Sequence, residues 1–365
     1  MKIIDILEKD ILSLNEIRYL LLLENKEEIE LLKNKAQLIL KKYCSEKVFL
    51  RGLIEFSNYC INNCLYCGIR RSNKTIKRYT LEKEEILHLA KWTADMGYGS
   101  IVLQSGERND RKFIDFVAEV VNEIKIQTKS NKLPNGLGIT LCLGEQSKED
   151  FKLLFDAGAH RYLLRIETSN PNLFKKIHPP KQSFSNRVKA LHILKEIGYQ
   201  VGTGVMIGIP NQTIEDLAKD IIFFQELDVD MIGMGPFIYH SNTPMYNPKK
   251  NTKEFKNSNY QLSLKMIGIA RIVLKDVNIA STTALQAIKP FGREAGLQWG
   301  ANVIMPLLTP PKHRKEYQLY EGKPCLDEIA SECFDCNIKR IESIDRIIAK
   351  DEWGDSKHFL NKKNK

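Results

Sequence analysis

Eight short runs rich in Val, Ile and Leu, separated by amphipathic stretches long enough to be helices, constrain this chain more than any other feature. The runs are FLRGLIEFS (49–57), GSIVLQS (99–105), LGITLCL (137–143), HRYLLRI (160–166), QVGTGVM (200–206), DMIGMGP (230–236), NIASTT (278–283) and ANVIM (301–305). Strands that alternate with helices pair in parallel, because each helical crossover returns the chain to the same edge of the sheet. Gly97, Gly158 and Gly198 stand just before the next run, where a helix ends on a residue that tolerates positive φ. Such units, spread over about 260 residues, have the count and size of an α/β fold of the (β/α)8 TIM-barrel type. An open, doubly wound sheet is the alternative.

Around this barrel, placed at 47–310, the flanks read differently. Residues 1–46 carry Leu, Ile, Glu and Lys at helical spacing, which predicts an N-terminal helical extension covering one end of the barrel. The polar stretch 245–258 reads as a loop, and residues 311–365 form a C-terminal extension with its own cysteines.

Composition narrows the class. A chain of 365 residues with 43% apolar content holds one large core or two modest ones. The net charge of +10 comes mostly from Lys spread through helical segments, which predicts a solvated surface and no nucleic-acid partner. No stretch reaches the roughly 20 apolar residues of a membrane span, and acidic residues stand in the opening segment where a signal peptide would be basic. A cytoplasmic protein without a membrane partner is expected. There, eight cysteines argue for metal or cofactor ligation over disulfides.

Six of those cysteines are clustered. In SNYCINNCLYCGIR, Cys60, Cys64 and Cys67 follow the first strand, at the mouth where barrels place their chemistry. Three thiols on one tight loop suit a 4Fe-4S cluster whose fourth iron stays free for a non-protein ligand. A structural zinc site needs four protein ligands, and no His or fourth Cys lies nearby in sequence.

The C-x3-C-x-aromatic-C pattern, with Tyr66 as the aromatic, resembles the signature of radical S-adenosylmethionine (SAM) enzymes. The resemblance implies that the open iron chelates SAM and that electron transfer yields a 5'-deoxyadenosyl radical. It also implies SAM contacts at Ser105, Gly106 and Glu107, which resemble a Gly-Gly-Glu element. Glu167 would hold the ribose and Arg187 the methionine carboxylate, with Met206 and Ile207 flanking the adenine. Asn211 stands where relatives carry Gly, and it too tolerates a left-handed backbone.

Within that family the chain resembles the HydE group of FeFe-hydrogenase maturases from about residue 45 to 340, in stretches such as GIPNQTIEDL, GREAGLQWGANVIMP and YQLYEGKPC. This implies an enzyme acting on a cysteine-bound Fe(CO)2CN precursor, with the maturases HydG and HydF and a reducing electron donor as partners. Arg165, Cys142, Thr282 and Thr283 would then surround a small anionic or organometallic substrate in the lumen. No base-nucleophile dyad is visible, which suits radical chemistry. Cys325, Cys333 and Cys336 match a tail site that implies an accessory 2Fe-2S or 4Fe-4S cluster, and His313 is a candidate fourth ligand. Two rivals remain: a carbon-skeleton enzyme related to methylornithine synthase or biotin synthase, and a metal-binding barrel that does not cleave SAM.

Overall fold

The computed structural model describes residues 2–328 and 330–363, with the side chains of 330–333 left aside. Ten strands form one parallel sheet system: β1 (Lys47–Ser57), β2 (Ser100–Ser105), β3 (Gly138–Cys142), β4 (Arg161–Leu163), β5 (Gln200–Thr203), β6 (Met206–Ile207), β7 (Met231–Pro236), β8 (Asn278–Ser281), β9 (Val303–Ile304) and β10 (Ile347–Ala349). The order β1-β2-β3-β4-β5-β7-β8-β9 closes through pairing of β9 with β1, at Phe49↔Val303 and Leu50↔Ile304, so the barrel forms and the open sheet is excluded. Each of the eight predicted runs supplies one barrel strand. The two-residue β6 pairs beside β7, and β10 adds to β1 outside the ring, and neither was foreseen.

Strand alternation sorts the side chains into two cores. On β1, Val48, Leu50, Ile54 and Phe56 face outward into the main apolar cluster, whereas Phe49 and Leu53 join clusters inside the ring. The same parity puts Ile101, Ile139, Tyr162, Val201 and Ile279 outward, under the helices. Arg51, Glu55, Gln104, Cys142, Arg161 and Arg165 share the inward parity of their strands, so the lumen is polar and charged.

The extensions depart from expectation in position. Helices Leu14–Leu21 and Lys26–Tyr43 do not cover an end; they pack on the outside of the helical layer, against Ile214–Glu226 and Lys253–Leu274. The reason is their single apolar face, with Leu20, Leu32, Ala36 and Leu40 fully buried. The end of the barrel below the strand starts is closed instead by residues 350–356. There Arg51 donates to Gly354 O (3.0 Å), Arg161 to Trp353 O (2.8 Å) and Asp355 (3.0 Å), and Asn278 to Gly354 O (2.9 Å). No described helix is long and apolar enough to cross a membrane.

Candidate functional site

At the opposite end, where the strands finish, the loop after β1 carries Cys60, Cys64 and Cys67. Backbone bonds fix it on three sides: Ile61 N to Glu107 O (2.9 Å), Leu65 N to Ile177 O (2.9 Å) and Gly68 N to Leu319 O (3.0 Å). Burial pushes all three thiols up in pKa, Cys64 to about 12, and the charges of neighbouring cysteines push Cys64 and Cys67 further. Thiols so placed keep their protons until a metal replaces them, which makes metal uptake proton-releasing. Gly106 lies directly behind the loop: a Cβ there would collide with Tyr59 O and stand 2.8 Å from Cys60 Cβ. Among the described residues no three His, Cys, Asp or Glu side chains stand grouped as for a metal ion. Three half-buried thiols on one loop that feel one another's charge, and a backbone cradle that admits no side chain, nevertheless fit a cluster that would draw them together and keep one iron free.

The residues expected to hold SAM gather around this loop. Glu107 is half-buried against Gly144 and accepts from Glu145 N (3.1 Å); burial raises its pKa, opposed by Arg187. Arg187, 6% exposed, donates to Glu145 (2.5 Å) and to Arg165 O, and its Nη2 stands 3.9 Å from Glu107. Glu145 carried no signal in the sequence beyond its charge. Ser105 turns its hydroxyl to Gly106 O (2.7 Å). Tyr66 bonds His178 Nε2 (3.2 Å), whose own pKa burial lowers to about 3, so the imidazole is neutral.

Glu167 occupies a left-handed turn, φ 64°, pinned by its N to Gly204 O (2.9 Å) and its O to Met206 N (3.1 Å). A non-glycine residue held there marks a constrained site. The kink turns its carboxylate back to grip Arg165 through both oxygens, at 2.9 and 2.8 Å. The Met206–Ile207 pair splits, contrary to expectation. Met206 packs near Tyr66 and Tyr239, but Ile207 points into the outer core, because successive strand residues face opposite sides. Asn211 adopts φ 71°, the left-handed turn its residue type allows.

Deeper in, Arg165 also donates to Gly233 O, and Gly204 and Gly235 stand where a Cβ would strike Gly233 O and Thr282 Oγ1. Glycines therefore line the β5–β7 side of the lumen because the neighbouring groups approach too closely to admit side chains. Thr282 spends its hydroxyl on Met234 O (3.0 Å), so it is not the free donor expected; Thr283 accepts from Arg293 (3.1 Å) and keeps its proton to give. Cys142 lies at the lumen wall among Leu53, Val102 and Met305, and burial pushes its thiol up to about 12, which suits a neutral contact and no nucleophile.

A strap of the C-terminal extension crosses the mouth. Lys323 inserts onto Glu55 at 2.5 and 2.6 Å and also reaches Tyr317 O (3.1 Å); Tyr317 OH accepts from Gln104 (3.3 Å). Tyr320 lies in the field of Arg293, Glu55 and Arg165. In the sequence, Glu55, Gln104 and Lys323 were hidden because nothing paired them; the barrel does so across 268 positions for Glu55 and Lys323.

The tail cysteines are partly brought into view. Cys325 is half-buried at φ 60°, its carbonyl and that of Glu328 both held by the buried Arg314 at 2.6 Å. Cys336 is exposed on helix Ala330–Glu342, which also carries Cys333; the side chain of Cys333 lies outside the described residues. His313 stacks on Tyr79 at 4.3 Å.

Comparison with known proteins adds a second line. The model of the radical SAM superfamily matches residues 54–224. The [FeFe] hydrogenase maturase subunit HydE of Thermotoga maritima is 46% identical over 326 residues, covering 89% of this chain and 88% of that one. A 3-methylornithine synthase of Methanosarcina acetivorans is 30% identical over 302 residues, 81% of this chain and 80% of its own. Among solved structures, methylornithine synthase (PylB) superposes with a TM-score of 0.77 at 26% identity, covering 96% and 97% of the two chains.

Proposed function

We propose, from the premise that this chain belongs to the radical SAM superfamily and to its HydE branch, that it serves in assembly of the FeFe-hydrogenase active-site cluster, acting on a cysteine-bound Fe(CO)2CN precursor. As a member of that superfamily it is an enzyme dependent on a 4Fe-4S cluster and SAM. When bound, that pair supplies a 5'-deoxyadenosyl radical through one-electron cleavage of the sulfonium.

The chain's own residues hold, orient and seal. Cys60, Cys64 and Cys67 would ligate the cluster, with Tyr66 packed against His178 behind them. Ser105, Gly106 and Glu107 would take the SAM amino group, and Arg187, released from Glu145, the carboxylate. Glu167 and Met206 would meet the ribose and adenine, while Ile207 would contribute through its backbone. Support comes from how these groups already pair: each charged member has a partner of opposite sign within the site, so an incoming zwitterion exchanges partners without stranding a buried charge.

For the substrate, the observation that carries the reading is the guanidinium of Arg165 at lumen parity, held by both oxygens of Glu167 and by Gly233 O. A planar guanidinium there would suit carboxylate or cyanide groups once Glu167 turns from it toward SAM. Thr283, Thr282 and Cys142 would complete the wall. Cys325, Cys333 and Cys336 would hold an accessory 2Fe-2S or 4Fe-4S cluster on the tail.

The test is add-back. Inactive hydrogenase precursor, HydG and HydF are incubated anaerobically with SAM, a reductant and this protein in place of HydE. Hydrogen evolution restored by the native chain and absent with Arg165→Met supports the reading. Lack of restoration by a cluster-loaded native chain rejects it.

A further inference from the structure

Tyr66 stands between Cys64 and Cys67 in the chain, and its hydroxyl has one proton to give. Three neighbours compete for it. Burial raises the Cys64 thiol in pKa, and Tyr66 acts on that sulfur as a hydrogen-bond donor that pulls the value back. Glu167 acts on the phenol through its charge. The acceptor that the hydroxyl meets is His178 Nε2, at 3.2 Å.

His178 is an acceptor because of how its ring is fixed. Its Nδ1 stands 3.0 Å from Phe174 O, and a carbonyl only accepts, so Nδ1 carries the ring proton and Nε2 presents a lone pair. Burial and the charge of Arg187 lower the imidazole pKa to about 3, so no second proton fills that lone pair. Phe174 stacks on the imidazole at 3.9 Å, and Tyr66 meets it edge-on at 5.5 Å. The backbone is fixed as well: His178 leaves helix Pro171–Ile177 extended, at φ −108° and ψ 157°, as the Pro179 that follows requires. On either side of it the same segment borders the cysteine loop. Ile177 O accepts from Leu65 N (2.9 Å), and Gln182 Oε1 accepts from Cys64 Sγ (3.5 Å).

Without that lone pair, the hydroxyl is left with the Cys64 sulfur and the Glu167 carboxylate, and both oxygens of Glu167 are already engaged by Arg165 at 2.9 and 2.8 Å. A donor stranded in a half-buried site turns to the acceptor that remains, here the sulfur. A hydrogen bond to a cluster thiolate draws charge from it, favours the reduced cluster and raises its reduction potential. A higher potential makes a weaker reductant for the SAM sulfonium. We infer that His178 is a positioning residue that holds the Tyr66 hydroxyl off Cys64 and thereby keeps the reduction potential of the cluster low. This role rests on the radical SAM reading, which puts a 4Fe-4S cluster on Cys64.

The experiment is an anaerobic redox titration of the cluster-loaded protein without SAM, followed by electron paramagnetic resonance. His178→Asn keeps an amide donor where Nδ1 stood and offers Tyr66 nothing, whereas His178→Gln puts an amide oxygen where Nε2 stood. At the native midpoint the ratio of reduced to oxidised cluster should rise about tenfold in His178→Asn, a shift of about 59 mV for one electron. His178→Gln should stay close to the native midpoint. Tyr66→Phe/His178→Asn should return toward it, because no hydroxyl is left to donate, whereas a loss of packing alone would leave the double variant shifted. On the cluster-free chain, nitrogen-15 resonance of labelled histidines should show His178, assigned by its loss in His178→Gln, with a bare Nε2 whose signal moves in Tyr66→Phe. An unchanged midpoint in His178→Asn, a double variant that stays shifted, or a protonated Nε2 in the native chain would each overturn the role. A native chain that takes up no 4Fe-4S cluster would overturn the radical SAM reading and the role with it.

Discussion

Replacing Lys323 with Met removes the ammonium that stands 2.5 and 2.6 Å from the two carboxylate oxygens of Glu55, a residue 2% exposed inside the barrel mouth. Burial pushes Glu55 up and Lys323 down, and each is held ionised by the other. Breaking one member of such a buried pair costs about 3–5 kcal/mol. At on the order of 2 °C per kcal/mol for a large chain, the midpoint of thermal unfolding should drop by roughly 6–10 °C. The lone Glu55 can escape by taking a proton, so its folded pKa rises above the unfolded value. The variant's deficit is then small near the unfolded carboxylate value of about 4.3 and grows as pH rises toward the folded pKa.

Because Lys323 sits on a strap over the mouth, part of the loss should appear as local opening. Trypsin should cleave between 312 and 323 sooner in the variant than in the native chain. Scanning calorimetry at pH 5 and pH 8, with Glu55→Gln/Lys323→Met alongside, completes the assay. The neutral pair should recover more than half of the loss. A single variant within about 1 kcal/mol of native at pH 8, or a double variant no better than the single, would refute the reasoning.

Three further outcomes follow from the same structure. Cys64→Ala should abolish SAM cleavage while Cys333→Ala leaves it largely intact, measured as 5'-deoxyadenosine by chromatography; equal losses would erase the division between the two cysteine sets. Gly106→Ala, whose methyl would press on Tyr59 O and Cys60 Cβ, should cost about 1–3 kcal/mol of overpacking and lower the iron retained after desalting at least severalfold. His358 sits between Asp276 (2.9 Å) and Asp228 (2.6 Å), and those hydrogen bonds raise its pKa. Its anchoring of helix Lys357–Lys363 should therefore be full below the unfolded histidine value of about 6.5 and fade as pH climbs through the raised folded value. Amide exchange of that helix between pH 6 and 9 reads this, and His358→Gln should remove the dependence.

How much of this was legible beforehand varies with the kind of interaction. Each barrel strand was visible because apolar runs and intervening helices repeat locally. The two-residue β6 and three-residue β10 were not, since so short a strand has no period to detect. The closure by residues 350–356 was hidden for the same reason, although Arg51 within β1 and Arg161 at the start of β4 were a signal: a charge at lumen parity needs a partner inside the ring. Cysteine spacing singled out the Cys60–Cys67 loop, a contiguous feature. Glu145, Lys323 and Tyr317 act through partners far away in sequence, and only closure of the barrel brings them to Arg187, Glu55 and Gln104. The Met206–Ile207 pair shows the converse error, where adjacency in sequence was taken for adjacency in the site although a strand sends the two side chains apart.

The central claim is that this chain performs SAM-dependent radical chemistry on an iron-bound cysteine. Its most direct test is release of 5'-deoxyadenosine by the reduced, anaerobically reconstituted protein, given SAM with either the cysteine-bound Fe(CO)2CN complex or lysine. Release stimulated by the iron complex and not by lysine is the predicted result. Stimulation by lysine would contradict the maturase assignment in favour of a carbon-skeleton enzyme, and no release with either would contradict radical SAM catalysis itself.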